Sequence, residues 1–109
     1  MKSIFIFIVT VLLLYGCSEK KTDAPLICFA DAFEDNTLAK AKEGFFDALK
    51  DSGFSEEKKN IRVSYRNAQG NIPTLTQIIN YFISQKPALI ATCPTLTTIT
   101  AVQIGRAHV

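Results

Sequence analysis

The residues able to do chemistry in this 109-residue chain are few. Asp31, Glu34 and Asp35 form its one acidic cluster. Carboxylates grouped after a strand can hold Mg²⁺, which prefers hard oxygen ligands. The same residues equally suit the start of a helix, where negative charge complements the macrodipole. Three cysteines (Cys17, Cys28, Cys93) and a single histidine (His108) are scattered along the chain. That spacing excludes a zinc finger or ribbon. The only histidine, His108, lies in the C-terminal tail expected below to be a scar, so a Ser–His or Cys–His nucleophile would have no base. The phosphate-binding patterns G-x-G-x-x-G and G-x-x-x-x-G-K-[ST] are absent, as is the nucleophile elbow G-x-S-x-G. The expectation is a protein without catalytic residues, cofactor or resident metal. What remains is short hydrogen-bonding chemistry in three loops, Asp31–Asn36, Asn67–Asn71 and Thr92–Thr95. Phe33 and Tyr65 could stack on a ligand, although an aromatic near a strand end also serves as core.

The elements that would position these loops can be read from hydrophobic spacing. Composition is globular, with 48% hydrophobic and 20% charged residues. The length fits one small domain or a piece of a larger one. Twelve Lys and Arg against ten Asp and Glu give +2, too little to favour nucleic acid. Leu26–Ala30 is a short continuous apolar run, expected as a strand buried on both faces. From Thr37 to Ser52, Leu38, Ala41, Phe45, Ala48 and Leu49 recur at helical spacing, with Asn36 as N-cap and Gly53 as the stop. Ile61–Tyr65 alternates, which predicts a strand with one wetter face near a sheet edge. Ile72, Leu75, Ile78, Ile79, Phe82 and Ile83 trace one face of a second helix, capped by Asn71. Ala88–Ala91 reads as a third buried strand. Pro94 suits the first turn of a third helix, with Leu96, Ile99 and Val102 inward.

Strands alternating with helices at this spacing imply an α/β fold, a parallel βαβαβ three-layer sandwich. In such open sheets, ligands bind at the C-terminal ends of the strands, where all three polar loops fall. Helix N-termini there offer free N–H groups to carboxylates or phosphates. Asn67 and Thr92, at strand ends, are expected to serve solute affinity more than folding. Cys28 lies mid-strand and Cys93 just past a strand end. Their offset of about three residues, roughly 10 Å, is too long for a disulfide, which needs Cα atoms within about 7 Å.

The first residues read as an address. Lys2 precedes an apolar stretch, Ile4–Leu14, too short to cross the roughly 30 Å hydrocarbon core stably. Leu14-Tyr15-Gly16-Cys17 resembles the bacterial lipobox. The resemblance implies a signal peptide over 1–16, cleavage before Cys17 and a diacylglycerol on its thiol. Each buried acyl CH₂ contributes about 0.8 kcal/mol, so two or three chains hold a domain on a membrane. Residues 17–25 are expected to be a tether and 26–103 the credible domain. Residues 104–109 (Ile-Gly-Arg-Ala-His-Val) fall outside the predicted pattern. They also translate one frame of a widely used sequencing adapter, so they are expected to be a scar.

Longer stretches carry a family resemblance. Ala41–Phe54 resembles a first-helix pattern A-x-E-G-F-x-x-x-L-x-x-x-G-[YF]. Asn67-Ala68-Gln69-Gly70-Asn71 resembles N-A-Q-G-D, Lys86–Ile90 resembles K-P-D-L-I, and Ala91–Thr95 resembles an A-T-x-[AS] turn. Together they are similar to ABC transporter substrate-binding proteins of the type I periplasmic-binding fold, the group with tryptophan- and tyrosine-type binders. The resemblance implies the first part of the N-terminal lobe of a two-lobed clamshell. It implies a small solute of the amino-acid class, aromatic amino acids among the options, delivered to a permease driven by an ATPase. It places Asn67, Gln69, Thr92, Pro94 and Thr95 at the cleft, with Asp31 and Phe33 from the less well matched loop. Cys93 departs from the small or apolar residue the pattern has there. The protein would be extracytoplasmic and lipid-anchored. Alternatives are a ligand-sensing receptor domain or an extracytoplasmic lipoprotein enzyme.

Overall fold

The computed structural model describes residues 1–4 and 23–107. Its elements run β1 (Leu26–Asp31), α1 (Asn36–Asp51), β2 (Arg62–Asn67), α2 (Ile72–Ser84), β3 (Leu89–Cys93) and α3 (Thr95–Ala107). The lipobox, Cys17 and His108 lie outside the described residues. The strands form a parallel sheet in the order β2-β1-β3. β1 is central, and Ile27 to Asp31 are all buried, as a continuous apolar run predicts.

The chain steps from β1 to one neighbour, then crosses past β1 to the other. Right-handed crossovers in opposite directions lay their helices on opposite faces. α1 covers the face of Phe29, whose ring centroid is 5.5 Å from that of Phe45 and 5.7 Å from that of Phe46. α2 and α3 cover the other face. There Cys28, Ala30, Leu75, Ile79 and Phe82 form the core, with Ala101 and Ile104 packed against it. The three layers match the α/β sandwich expected. Cys28 pairs in register with Ile90, three positions short of Cys93, and both thiols are free.

Several details differ from the expectation. Asp35, not Asn36, caps α1. Its backbone is extended (φ −152°, ψ 145°), as a cap requires, whereas Asn36 is already helical. The Asp35 carboxylate accepts from the N–H groups of Thr37 (2.7 Å) and Leu38 (3.4 Å). The inward face of α1 is Leu38, Lys42, Phe45, Phe46 and Leu49, while Ala41 and Ala48 are exposed. β3 is not fully buried. It is the far edge of the sheet, and Leu89 is 44% exposed.

α3 turns a different face inward as well. Leu96, Ile99 and Val102 are exposed, and Thr97 is fully buried instead. Thr97, Ala101 and Ile104 form one stripe at i, i+4, i+7. The Thr97 hydroxyl donates to the Cys93 carbonyl at 2.9 Å, which removes the penalty for burying it. The helix also runs on through Ala107, so residues 104–107 do have a place in the pattern.

The cap makes a testable prediction. Hydrogen bonds from Thr37 hold the Asp35 carboxyl below its usual range. A carboxyl with a lowered folded pKa adds stability above its unfolded pKa and loses it as pH falls through the lowered value. Asp35→Ala should therefore lower the melting temperature at neutral pH, and the gap to the parent should close in acid. Circular dichroism melts across that range test this; a gap of constant size would contradict it.

Candidate functional site

Parallel strands in register end together. Asp31 pairs with Asn67 on one side and with Cys93 on the other. The three polar loops therefore leave the sheet at one edge. They are laced by backbone hydrogen bonds. The Ala32 N–H donates to Cys93 O (3.1 Å), the Ala68 N–H to Asp31 O (2.9 Å) and the Gly70 N–H to Ala32 O (2.7 Å). In a 2-1-3 order the strand direction of travel reverses between β1 and β3, which is where ligands bind in open α/β sheets.

Side chains at this edge form a directed network. The Tyr65 hydroxyl donates to Asp31 Oδ2 at 2.8 Å. Asn67 Nδ2 donates to the Tyr65 hydroxyl at 3.2 Å. The Gln69 N–H donates to Asn67 Oδ1 at 2.7 Å, an Asx-type turn. That bond offsets strain at Gln69, whose φ of 51° is left-handed. Gly70 follows at φ 78°, a conformation that costs glycine little. Asn71 then caps α2 by accepting from the Thr74 N–H at 2.9 Å.

The structure brings Asp31, Phe33 and Asn67 together around a cavity of about 30 Å³, beside Tyr65 and Lys42. Gln69 sits on the exposed turn above. Thr92, Pro94 and Thr95 lie on the β3 side of the same edge, and the Thr92 and Thr98 hydroxyls bond each other at 2.7 Å. Each polar atom of Asn67 makes one bond within the loop network, which leaves one Nδ2 hydrogen and one Oδ1 lone pair over. Tyr65 does not offer a free ring, because Lys42 Nζ stands 3.7 Å from its centroid. A larger cavity, about 340 Å³, is lined by Phe46, Phe54, Ile61 and Val63. It borders the start of β2 and so opens at the opposite end of the strands.

Sequence reasoning missed Lys42 as a member of the site and missed Tyr65 as a hydrogen-bonding hub. One signal for Tyr65 was present: strand alternation puts it on the same face of β2 as Asn67. Lys42 carried none, since a lysine on an amphipathic helix reads as solvated. The two cysteines add no nucleophile. Burial pushes the Cys28 thiol up, and burial with the Asp31 charge pushes the Cys93 thiol up. Raised thiols are mostly protonated and weakly reactive. Among the described residues, no three His, Cys, Asp or Glu side chains are grouped to hold a metal ion.

The structure is thus a parallel α/β sheet whose three polar loops leave it at one end. The model of the family "ABC transporter substrate binding protein" matches residues 27–107, and this chain belongs to that family. The chain is 37% identical over 93 residues to a tyrosine-binding protein of Clostridioides difficile (strain R20291), covering 73% of this chain and 27% of that one. A solved structure is also similar: a substrate binding protein with adhesive properties from Clostridium difficile, in its ligand-free, open form. It aligns with a TM-score of 0.69 and 30% identity, over 73% of this chain and 27% of that one. The chain thus spans about a quarter of the length of these relatives. Both relatives are named for binding, not for catalysis.

Proposed function

We propose that this chain is part of the extracytoplasmic solute-binding component of an ABC importer. Its solute is a small molecule of the amino-acid class, aromatic as in the tyrosine-binding relative, and it is handed to a membrane permease driven by an ATPase. Asp31, Phe33, Asn67, Gln69, Thr92, Pro94 and Thr95 form one wall of the solute site, with Tyr65 and Lys42 behind them. Residues 1–16 are a signal peptide, Cys17 carries the lipid, and residues 17–25 tether the domain to the membrane. The observation that carries the reading is the convergence, in a chain of this family, of three polar loops at one end of the sheet. No helix of the described residues is long and apolar enough to cross a membrane.

Two measurements test this. Calorimetric titration of the full-length gene product with the common L-amino acids should show tight binding of one or a few, aromatic ones first. A protein that binds none of them would sink the solute class. Cys17→Ala should abolish incorporation of labelled fatty acid and leave an uncleaved precursor. Label retained by that variant would refute lipid anchoring at Cys17.

A further inference from the structure

We propose that Asp31 receives the primary ammonium group of the solute, in the small cavity at its side chain; this rests on the solute-binding reading above. Hydrogen bonds at the sheet edge run one way, from the Gln69 N–H to Asn67, from Asn67 to Tyr65, and from Tyr65 to Asp31 Oδ2. The chain of donors ends on a carboxylate with one oxygen still open. Asp31 is 2% exposed, and its Oδ1 is buried without a partner. Buried polar atoms are nearly always satisfied, so an orphaned acceptor in a held carboxylate marks a place for an incoming donor.

The surroundings select the donor. No cation is paired with Asp31: among the described residues the one close ion pair is Lys50–Glu57. Lys42, the one lysine among the lining residues, sits over the Tyr65 ring. Glu34 and Asp35 line the same cavity, so its field is negative. At about 30 Å³ it is the smaller of the two cavities described above. A divalent ion needs six or so oxygen ligands, and among the described residues no group of carboxylates is placed to hold one. An ammonium on a short stem matches the charge of the lining and supplies the donor that Oδ1 lacks. Phe33, 44% exposed at the cavity wall, leaves apolar surface for the rest of the solute.

The test uses the full-length protein and paired probes: L-tyrosine and the other common amino acids, each against its counterpart lacking the amino group. The parent should bind its preferred amino acid about 10- to 150-fold more tightly than the des-amino partner, the range for a hydrogen bond to a charged group. Asp31→Asn keeps the size and an acceptor for the Tyr65 hydroxyl. It should lower affinity for the amino acid by a similar factor, leave the des-amino compound nearly unaffected, and preserve the circular dichroism spectrum. Equal affinity of the parent for both probes would overturn the assignment while leaving solute binding intact; so would an Asp31→Asn protein that discriminates as the parent does, which would leave a water at Oδ1. The parent comparison needs no variant, so a misfolded Asp31→Asn protein would not shield the proposal. Absence of binding by every amino acid would remove the solute reading and this assignment with it.

Discussion

Phe82→Ala is expected to destabilise the protein by about 3–5 kcal/mol, the largest effect of any single substitution considered for this chain. Phe82 is fully buried in the C-terminal half of α2. It belongs to the core cluster with Cys28, Ala30, Leu75, Ile78 and Ile79, beneath the central strand. Truncation removes the apolar area of a ring and leaves a void that a parallel sheet and two helices fill only in part. Domains of this kind hold about 5–15 kcal/mol in total, so the loss is a large fraction. Phe45→Ala should cost less, because Phe45 is only half-buried, in the aromatic group with Phe29 and Phe46. Phe54→Ala, at a ring 46% exposed, should cost least. Urea denaturation of the three variants in the full-length protein gives the order. A Phe82→Ala protein as stable as Phe54→Ala would mean that α2 does not dock as described.

Asn67→Ala should lower stability and solute affinity together. The residue's two polar atoms hold two bonds, from the Gln69 N–H and to the Tyr65 hydroxyl. At about 0.5–1.5 kcal/mol net each, their loss amounts to roughly 1–3 kcal/mol. Gln69 then keeps its left-handed backbone without the bond that offsets it. The Tyr65 hydroxyl loses the donor that orients it toward Asp31, so the cleft carboxylate is less well held. Asn67→Asp retains the acceptor for the Gln69 N–H and should recover part of the stability but not the affinity. Thermal melts without ligand and calorimetric titration of both variants separate the two contributions. If Asn67→Ala lost affinity while its melting temperature stayed at the parent's value, Asn67 would be a direct solute contact and not a positioning residue.

Much of this protein was determined by local sequence. The continuous apolar run at Leu26–Ala30, the helical spacing after Thr37 and Ile72, and the turn chemistry at Asn67–Asn71 specify β1, α1, α2 and the loop between β2 and α2. Each depends on neighbours a few residues apart, where periodicity and capping act. Alternation of the elements then leaves a parallel sheet with its polar loops at one edge. The family motifs lie in those same stretches. Only the tertiary structure decided which side of α3 faces in, because a buried Thr97 is cheap only when the Cys93 carbonyl is there to accept its proton. It also decided that β3 is an edge, since strand order depends on crossovers and not on composition. The site divides the same way. Its loops were legible, but the link from Gln69 through Asn67 and Tyr65 to Asp31 joins residues up to 38 positions apart. Such a link exists only once β1 and β2 are paired in the register that sets Asp31 beside Asn67.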